Sequence, residues 1–535
     1  MPSVQLYDTT LRDGAQREGI SFSVVDKLKI AQKLDELGIH FIEGGWPGSN
    51  PKDTEFFNKA KRLNLTRSKL VAFGSTRRPK TKAEADASLK ALASAGVDVV
   101  TIVGKSSELQ VTQVLETTLD ENLSMVSDSI EYLKAKGLTV FFDAEHFFDG
   151  FKTNPKYALQ VLKVAAEAGA DCLVLCDTNG GSLPGEVTAA VEAAKSTADV
   201  PLGIHAHNDG ELAVANTLAA VSGGASQVQG TINGYGERCG NANLCSIIPA
   251  LKLKMGVDCV TDEQLAKLTE VSHYVSEVAN LSPEAFLPYV GSSAFSHKAG
   301  LHVSGLSKWA GSYQHIDPSR VGNKPRMLVS ELSGRVNIVQ RAKEIGIALP
   351  LRGKEAQELL EKVKLLESWG FQYENAEASF DLLVYRAQPD YQPPFELVDF
   401  MVVVEKRRRL PAQRGAQETL AEAVVKVRVG SEVMHTAAEG NGPVNALDKA
   451  LRKALLQFYP SLSAVKLVDY KVRILEESIG TESQVRVLIE SSDGVKEWRT
   501  VGSSTNIIEA SWLALADSLE YWLLKQKALG KPSTK

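Results

Sequence analysis

Residues 4–45 read VQLYDTTLRDGAQREGISFSVVDKLKIAQKLDELGIHFIEGG. A short β-rich run, Val4–Tyr7, is followed by a polar segment. Over Asp26–Leu37, apolar residues then recur at spacings of three and four, as they do on one face of a helix. Gly38 ends that pattern, and a second β-rich run begins at His40. The stretch therefore predicts a strand–helix–strand unit, in which the helix connects two parallel strands.

The same unit recurs along the first half of the chain. Further helical patterns cover Ala83–Ala95 and Ala158–Ala168, and they end shortly before Gly96 and Gly169. Eight such units in about 255 residues is the number found in a TIM barrel, with a doubly wound open sheet as the alternative. The β-rich runs are Val4–Tyr7, His40–Glu43, Lys69–Phe73, Val97–Val103, Thr139–Phe142, Cys172–Cys176, Leu202–His205 and Gln227–Ile232.

The pattern changes twice beyond the eighth run. Helical patterns prevail from about residue 260, and alternating strands return beyond Pro393-Pro394. In this last part Leu397–Phe400 is echoed by Leu467–Tyr470, which indicates two tandem copies of three strands and a helix. We therefore predict an α/β protein in three parts: a TIM (β/α)8 barrel over 1–260, helical linker subdomains over 261–392, and a C-terminal α+β regulatory domain of two tandem repeats over 393–527.

Composition excludes several classes of protein. Hydrophobic residues make up 44% of the 535 and charged residues 23%, an ordinary globular balance. Because the formal net charge is −5, neither nucleic acid nor a membrane surface is an expected partner, and the basic run Lys406–Arg409 is interpreted as a solvated loop. We find neither a signal peptide nor a long apolar run, and the five cysteines are scattered, so we expect a cytoplasmic protein with reduced thiols.

Polar residues stand where the predicted strands end, which is the edge at which a TIM barrel builds its active site. Asp13 follows the first strand, and Asn241 lies in the loop after the eighth. His205 and His207 are two apart on the seventh strand, so both imidazoles face the same side. With a carboxylate and an amide oxygen they suit a divalent metal that keeps positions open for a substrate. The alternative is that these residues only order the barrel mouth.

Arg12 and Glu145 are further candidates at this edge. Arg12 could form only a surface ion pair, but beside a metal it would supply a permanent cation for a developing oxyanion. Glu145 has no evident basic neighbour, which suits general acid–base work, with a structural carboxylate as the alternative. Cys239 in a glycine-rich loop could be a catalytic thiol, and either His302 or the nearby His297 could act from its loop.

Together these motifs resemble the Claisen-condensing branch of the DRE-TIM metallolyases, which includes the isopropylmalate, homocitrate and citramalate synthases. The similar stretches are DTTLRDGAQREG (8–19), HAHND (205–209), GERCGNANL (236–244), FSHKAGLHVSG (295–305) and YQHIDPSRVGN (313–323). The C-terminal repeat resembles the regulatory domain of that family, so the resemblance covers nearly the whole chain. Three further stretches look most like the members that use pyruvate: GWPGSNPKD (45–53), AEHFFDGF (144–151) and SSTNIIEASWLALADSLEYWL (503–523).

The resemblance implies a role for each candidate residue. A divalent metal, Mn²⁺, Mg²⁺ or Zn²⁺, would be bound by Asp13, His205, His207 and Asn241. The 2-oxoacid would be held by Arg12, Gln16 and Thr178. Proton transfer would fall to Glu145, His302 and Tyr313, of which the last two would reach in from the partner subunit of a homodimer.

The resemblance also implies a reaction. Acetyl-CoA would be the co-substrate and pyruvate the acceptor, giving (R)-citramalate and CoA for isoleucine synthesis. Another 2-oxoacid, as in the isopropylmalate or homocitrate synthases, is one alternative, and a catalytically silent amino-acid sensor is another. Isoleucine is the expected effector. Its carboxylate would meet helix N-termini that follow the glycine-rich segments Gly440–Gly442 and Gly502–Ser504.

Overall fold

The computed structural model of the chain describes residues 3–330, 334–347, 349, 353–405, 420–475 and 483–528. The basic run at 406–409 lies outside these described residues. The chain divides into two compact units. The first comprises Met1–Phe295 and Gln314–Pro325, and the second comprises Ser296–Tyr313 and Arg326–Lys535.

The first unit is built on a closed barrel of eight parallel strands in chain order. The barrel closes because the first strand pairs with the eighth along its whole length, from Gln5 opposite Gln227 to Asp8 opposite Gly230. The predicted TIM barrel is confirmed, and the open-sheet alternative is wrong. The strands are β1 (Gln5–Asp8), β2 (Phe41–Gly45), β3 (Lys69–Ser75), β4 (Val99–Lys105), β5 (Thr139–Glu145), β6 (Cys172–Asp177), β7 (Leu202–Ala206) and β8 (Gln227–Gly230).

Helices surround the barrel and follow its strands. They are α1 (Val24–Leu37), α2 (Pro51–Ala60), α3 (Ala87–Ala93), α4 (Leu119–Ala135), α5 (Phe147–Thr153), α6 (Pro155–Glu167), α7 (Pro184–Thr197), α8 (Ala213–Gly223), α9 (Leu244–Pro249), α10 (Asp262–Leu265) and α11 (Leu268–Val278). The α1 helix starts where the Ser23 side chain accepts a hydrogen bond from the Asp26 amide, and it ends at Gly38, which has a φ of 92°. These end signals explain why one unbroken apolar pattern became one helix.

The predicted helix Ala83–Ala95 is wrong in its extent. A short 3-10 turn, Ala83–Ala85, comes first, and α3 then begins afresh after Asp86. The Asp86 side chain accepts hydrogen bonds from the amides of Ser88 and Leu89, so this residue caps a new helix instead of continuing the turn. A capping residue inside an apolar pattern therefore divided one predicted helix into two elements.

The barrel interior is apolar at the level beneath the mouth. Its buried side chains are Tyr7, Phe41, Val71, Val99, Phe141, Cys172, Val174 and Cys176. Inward-facing polar residues succeed them toward the carboxyl ends of the strands, among them Glu43, Thr101, Asp143, His205 and Gln229, and all five are buried. The strand period of two thus stacks a polar layer on an apolar one and places the polar layer at the mouth.

The second unit contains helices, one short ladder and two further sheets. The ladder joins β9 (Ser296–His297) to β10 (Arg326–Met327). The sheets are β11 (Glu396–Glu405), β12 (Leu420–Val429) and β13 (Glu432–Gly440), and β14 (Lys466–Ile474), β15 (Val485–Ser492) and β16 (Glu497–Ser504). The helices are α12 (Gly300–Lys308), α13 (Arg335–Glu344), α14 (Lys354–Ser368), α15 (Glu377–Arg386), α16 (Pro443–Leu455) and α17 (Ile507–Ala528). Among the described residues, no helix combines the length and the apolarity that crossing a membrane requires.

The predicted tandem repeat is confirmed in detail. Each copy is a three-stranded antiparallel sheet followed by a helix, and each first strand shifts register at the same place, after Leu397 in one copy and after Leu467 in the other. The Thr436 hydroxyl donates to the Ala450 carbonyl at 2.7 Å, and Thr500 donates to Ala514 at the same distance.

The two copies differ in what covers them. Helix α15 packs against α17 of the second copy, where Arg386 pairs with Asp517 at 2.7 Å and with Glu520 at 2.6 Å. The Ser379 hydroxyl donates to Asp517 at 2.7 Å and accepts from the Val501 amide at 3.0 Å. The second copy therefore carries the helical segment of this unit.

Candidate active site

Three of the four predicted metal ligands form a cluster at the barrel mouth. Asp13 Oδ2 lies 3.3 Å from His205 Nε2 and 3.9 Å from His207 Nε2. One ligand atom from each of the three lies within 4.8 Å of the others, and all three side chains are buried. Asn241 closes the group, because its Nδ2 donates to Asp13 Oδ2 at 2.8 Å. The strand ends and the glycine-rich loop thus bring together residues as far apart in the chain as Asp13 and Asn241.

Electrostatics favour the protonation states that a metal needs at Asp13 and His207. Burial would raise the pKa of Asp13, but the Arg12 guanidinium and the two imidazoles hold it well below its usual range. Burial and the neighbouring His205 lower the pKa of His207 to about 4, so this imidazole is neutral near pH 7. Burial also opposes charge on His205, but its bond to Asp13 raises the pKa.

The chemistry of this donor set fits a divalent cation. A carboxylate and two imidazoles are ordinary ligands of Zn²⁺ and of comparable divalent metals. Asn241 Oδ1 is buried without a hydrogen-bond partner, and rotating the amide by 180° would turn that oxygen toward Asp13 and His205. A bound cation would be the fifth member of this group, and it would satisfy the two buried imidazoles, the carboxylate and the unpaired amide oxygen.

Arg12 stands beside this cluster in a fixed orientation. Its Nε donates to Glu43 Oε1 at 2.5 Å, and its guanidinium lies 3.8 Å from the centre of the Phe73 ring. The second Glu43 oxygen accepts from the Tyr7 hydroxyl at 2.6 Å, so the carboxylate is held from both sides. Arg12 Nη1 remains 3.5 Å from Asp13 Oδ1. Arg12 is therefore more than a surface ion pair.

The expectation that Glu145 has no basic neighbour is wrong. Lys105 ends β4 directly opposite Glu145 in the strand register, and its Nζ forms an ion pair with Glu145 Oε2. Ser106 then holds the main chain of Glu145, since its amide and its hydroxyl donate to the Glu145 carbonyl at 3.0 and 2.7 Å. The predicted fourth strand ended at Val103 and so did not include Lys105. Because Lys105 comes two residues later in the strand, it faces the same side as Val103.

Thr178 and Arg238 connect the neighbouring loops. The Thr178 hydroxyl accepts from the His146 amide at 2.9 Å, directly after Glu145. Arg238 Nη2 donates to the Thr178 carbonyl at 2.8 Å and to His207 Nδ1 at 3.0 Å. Gln16, by contrast, is exposed in the loop after β1, in a cleft that it shares with Arg17, Glu18 and Gly236–Gly240. Its role in holding the 2-oxoacid stays a prediction.

His302 and Tyr313 belong to the second unit, not to the unit that contains the barrel. They lie next to each other there, with ring centroids 4.2 Å apart in a stacked arrangement. His297 is also close to His302, at 6.5 Å between ring centroids. The imidazole and the phenol therefore form one group, and their contribution to the barrel site stays a prediction. Cys239 is an exposed free thiol in the cleft that also contains Gln16.

A second candidate site lies in the first of the two C-terminal repeats. A pocket of about 720 Å³ lies along α16 and the start of β14, and it is lined mainly by apolar side chains such as Val444, Leu456 and Leu467. The polar lining includes Asn445 and Asp448. Because no side chain caps the start of α16 after Gly442, the amides of Val444 and Asn445 are available to an anion, as predicted, whereas Pro443 has no amide hydrogen.

The corresponding prediction for the second repeat is wrong. The Asn506 side chain accepts from the Ile508 amide at 2.9 Å, and the Ser504 hydroxyl donates to Glu509 at 2.6 Å. The first turn of α17 is therefore already capped from within the chain. Only the first copy offers the combination of an uncapped helix start and an adjoining apolar pocket within the described residues.

Sequence reasoning missed the residues that support the site. Glu43 was only the last residue of the second β-rich run, Lys105 lay beyond the predicted fourth strand, and Gln229 was given no role. The signal that could have found them is alternation, because Gln227 and Gln229 are polar at successive inward positions of β8. A polar residue at an inward strand position is costly to bury unless it has a partner.

Comparisons with known proteins agree with this geometry. Residues 3–275 match the HMGL-like family, residues 289–369 the homocitrate synthase post-HMGL domain-like family, and residues 374–523 the LeuA allosteric (dimerisation) domain. An (R)-citramalate synthase of Geobacter sulfurreducens is 55% identical over 99% of this chain and 99% of its own length. One from Aquifex aeolicus is 53% identical over 98% and 99%. A 2-isopropylmalate synthase of Methanocaldococcus jannaschii is 31% identical over 98% and 95%.

Proposed function

This chain belongs to the (R)-citramalate synthase family, and on that premise we propose that it condenses acetyl-CoA with pyruvate to give (R)-citramalate and free CoA. The observation that carries the proposal is the buried Asp13, His205 and His207 cluster with Arg12 beside it. A divalent metal bound by these ligands and Asn241 would supply Lewis acidity toward the 2-oxoacid carbonyl. Mn²⁺, Mg²⁺ and Zn²⁺ are the proposed metals: the imidazoles favour Zn²⁺, and the carboxylate and amide oxygens favour Mn²⁺ and Mg²⁺.

Arg12 would stabilise the developing negative charge. Its guanidinium is held by Glu43 and Phe73, so a planar donor is pre-oriented before any substrate binds. Attack on the keto carbon of pyruvate turns its carbonyl oxygen into an alkoxide, which needs a cation that cannot lose its proton. Thr178 and Gln16 would contribute polar contacts to the carboxylate of pyruvate.

Glu145 is the proposed acceptor of the proton from the acetyl-CoA methyl group. Its side chain forms an ion pair with Lys105, and the bonds from Ser106 fix its main chain, so the carboxyl group is held in place. Loss of that proton gives the carbon nucleophile that bonds to the keto carbon of pyruvate. Water then cleaves the thioester, so that one carboxylate and one free thiol are formed. His302 and Tyr313 would assist this proton transfer from the partner subunit.

Release of free thiol tests the reaction and its substrate together. The protein is supplied with acetyl-CoA and one 2-oxoacid, and CoA is trapped with a disulfide reagent. We expect thiol release with pyruvate and little with 2-oxoisovalerate or 2-oxoglutarate. A preference for either of those two would instead assign the chain an isopropylmalate or homocitrate synthase activity. If none of the three 2-oxoacids gave thiol release, the result would favour the amino-acid sensor.

We assign catalysis to residues 1–260, and effector binding and dimerisation to residues 393–527. The segment 261–392 would supply His302 and Tyr313, which complete the active site. The edge strand β11 exposes Met401, Val403 and Val404 by about half of their surface, at 57%, 49% and 54%, which supports a homodimer.

Co-assembly of inactive Arg12→Ala and His302→Ala chains tests the shared site, because one of two sites in a heterodimer would be intact. No recovery in verified heterodimers would contradict it.

Isoleucine is the proposed effector, and the pocket along α16 is its proposed site. The apolar lining suits a branched aliphatic side chain, and the uncapped start of α16 suits a carboxylate.

The cytoplasm is the proposed location. All five cysteines are free in the described residues, as expected for a reducing compartment.

A further inference from the structure

A second buried network begins at the far side of a metal-site imidazole. His205 Nδ1 lies 2.9 Å from Gln229 Oε1, and Gln229 Nε2 donates to Asp143 Oδ1 at 3.2 Å. His205 and Gln229 face each other in the register of β7 and β8, whereas Asp143 reaches the amide from β5. All three are buried, with Gln229 at 0% and Asp143 at 3% exposure. A chain of three side chains therefore crosses the barrel interior directly beneath the metal ligands.

Asp143 is an unusual residue for this position. Burial is the largest influence on its carboxyl and raises the pKa to about 7, and no salt bridge to it is found among the described residues. Burying a carboxyl group is costly unless its hydrogen bonds are satisfied. An apolar residue would pack equally well at this position in the barrel interior. The buried carboxyl group of Asp143 therefore calls for a function, and the condensation chemistry at the mouth does not provide one.

The amide of Gln229 can be oriented by its neighbours. Gln227 Oε1 also accepts from Gln229 Nε2, at 3.3 Å, so two acceptors face the nitrogen of the amide. The amide oxygen is thereby directed toward His205, and an oxygen can only accept. His205 must then carry a proton on Nδ1, so in the neutral ring the lone pair lies on Nε2, the nitrogen that faces Asp13. His207 has no such acceptor, because its Nδ1 faces the guanidinium of Arg238, which can only donate.

We propose that Gln229 and Asp143 are positioning residues that hold His205 in the tautomer and orientation required of a metal ligand. The inference rests on the proposed metal site and adds to it the residues that set its affinity. The neighbouring network has the same form: Glu43 orients Arg12 and is itself held by Tyr7. The polar layer of the barrel thus consists of two networks, one for the cation that stabilises charge and one for the imidazole that binds the metal.

Metal affinity, measured apart from turnover, tests the proposal. Mn²⁺ is titrated into the metal-stripped protein by calorimetry, with Gln229→Met as the main variant because methionine has a similar volume and no strong acceptor. We expect about 10- to 100-fold weaker binding, the usual effect of losing the partner of a metal-binding histidine. Asp143→Asn keeps an acceptor oxygen, so its affinity should stay within about threefold of the parent.

The Tyr7→Phe variant is the matched control. It removes a buried hydroxyl from the other network of the same layer, so it should leave the Mn²⁺ affinity within about threefold of the parent. Parent-like binding by Gln229→Met, or an equal loss in Tyr7→Phe, would overturn the proposal. If Gln229→Met does not fold, Asp143→Ala carries the same test, since it removes one of the two acceptors that orient the amide. A parent chain that binds no divalent metal would instead overturn the proposed metal site itself.

Discussion

The barrel mouth and the pocket along α16 are both candidate ligand sites, but the side chains that line them differ in polarity. At the mouth, Asp13, His205 and His207 are buried, and polar groups surround them: one another, two amide side chains and two guanidinium groups. In the pocket, apolar side chains such as Val444 and Leu467 predominate, and Asp448 is already paired with Arg452 at 2.8 Å. One site concentrates buried charged and polar groups, whereas the other presents a mainly apolar surface with free backbone amides at the start of α16.

This difference indicates how each site responds to change. Buried charged and polar groups are stable only as a complete set, so removing one member leaves the others unpaired. An apolar pocket loses affinity in proportion to the contacts removed, and coupling to a distant site is modest. We therefore expect abrupt effects at the mouth and graded effects in the pocket.

The largest effect should follow from removing a metal ligand. His207→Ala leaves a half-built site, so kcat should fall by more than about 100-fold, beyond the loss usual for a supporting residue. A chelator should abolish the activity of the parent, and added Mn²⁺ should restore it. Exposed His435→Ala on β13 is the control and should keep full activity. Undiminished turnover of metal-stripped protein in excess chelator would contradict the assignment.

Arg12→Lys separates charge from geometry at the same site. Lysine keeps the cation but loses the planar fork that Glu43 and Phe73 hold, so kcat should fall by about 10²- to 10³-fold. The Mn²⁺ affinity should change little, because Arg12 is not a ligand. Steady-state kinetics and calorimetry on one preparation measure both quantities. A variant within about twofold of the parent would show that the alkoxide is stabilised by another group.

Lys105→Met should have an intermediate effect. It removes the cation that pairs with Glu145 but leaves the proposed proton acceptor in place, so kcat should fall by about tenfold, less than the loss of a general base itself. Lys163→Met, which removes an exposed ion pair with Glu167, is the matched control. Equal rates for Lys105→Met and the parent would mean that Glu145 needs no neighbouring cation.

The smallest effect is expected in the α16 pocket. Val444→Trp should fill the apolar part of the pocket and abolish isoleucine inhibition, while turnover without isoleucine stays unchanged. The parent should lose only several-fold in rate or apparent affinity as isoleucine is added, since coupling between sites is typically about 1–3 kcal/mol. Val495→Trp, at a position that is 88% exposed, is the control. Calorimetry that detects no binding of isoleucine, leucine or valine would leave dimerisation as the only role of the repeat.

Much of the fold follows from local patterns. Alternating strand and helix periods predicted all eight barrel strands, and the echo of Leu397–Phe400 in Leu467–Tyr470 predicted the repeat. Asp13, His205, His207 and Asn241 could be selected because a barrel places every strand end at one rim. Helix caps were harder to predict from the sequence, because a cap depends on a single side chain. The hydrogen bonds of Asp86 and Asn506 cap α3 and α17, although the surrounding apolar or glycine-rich pattern indicated otherwise.

The sequence by itself determined the number of strands, their order and the residue types at the barrel mouth, because these depend on periods of two and of 3.6 residues that neighbouring positions already contain. Only the tertiary structure decided which partners those residues have. Lys105 meets Glu145 through strand register, and Asp143 meets Gln229 across the barrel interior. Such pairs join positions far apart in the chain, where no local period constrains them, and burial makes each dependent on its partner.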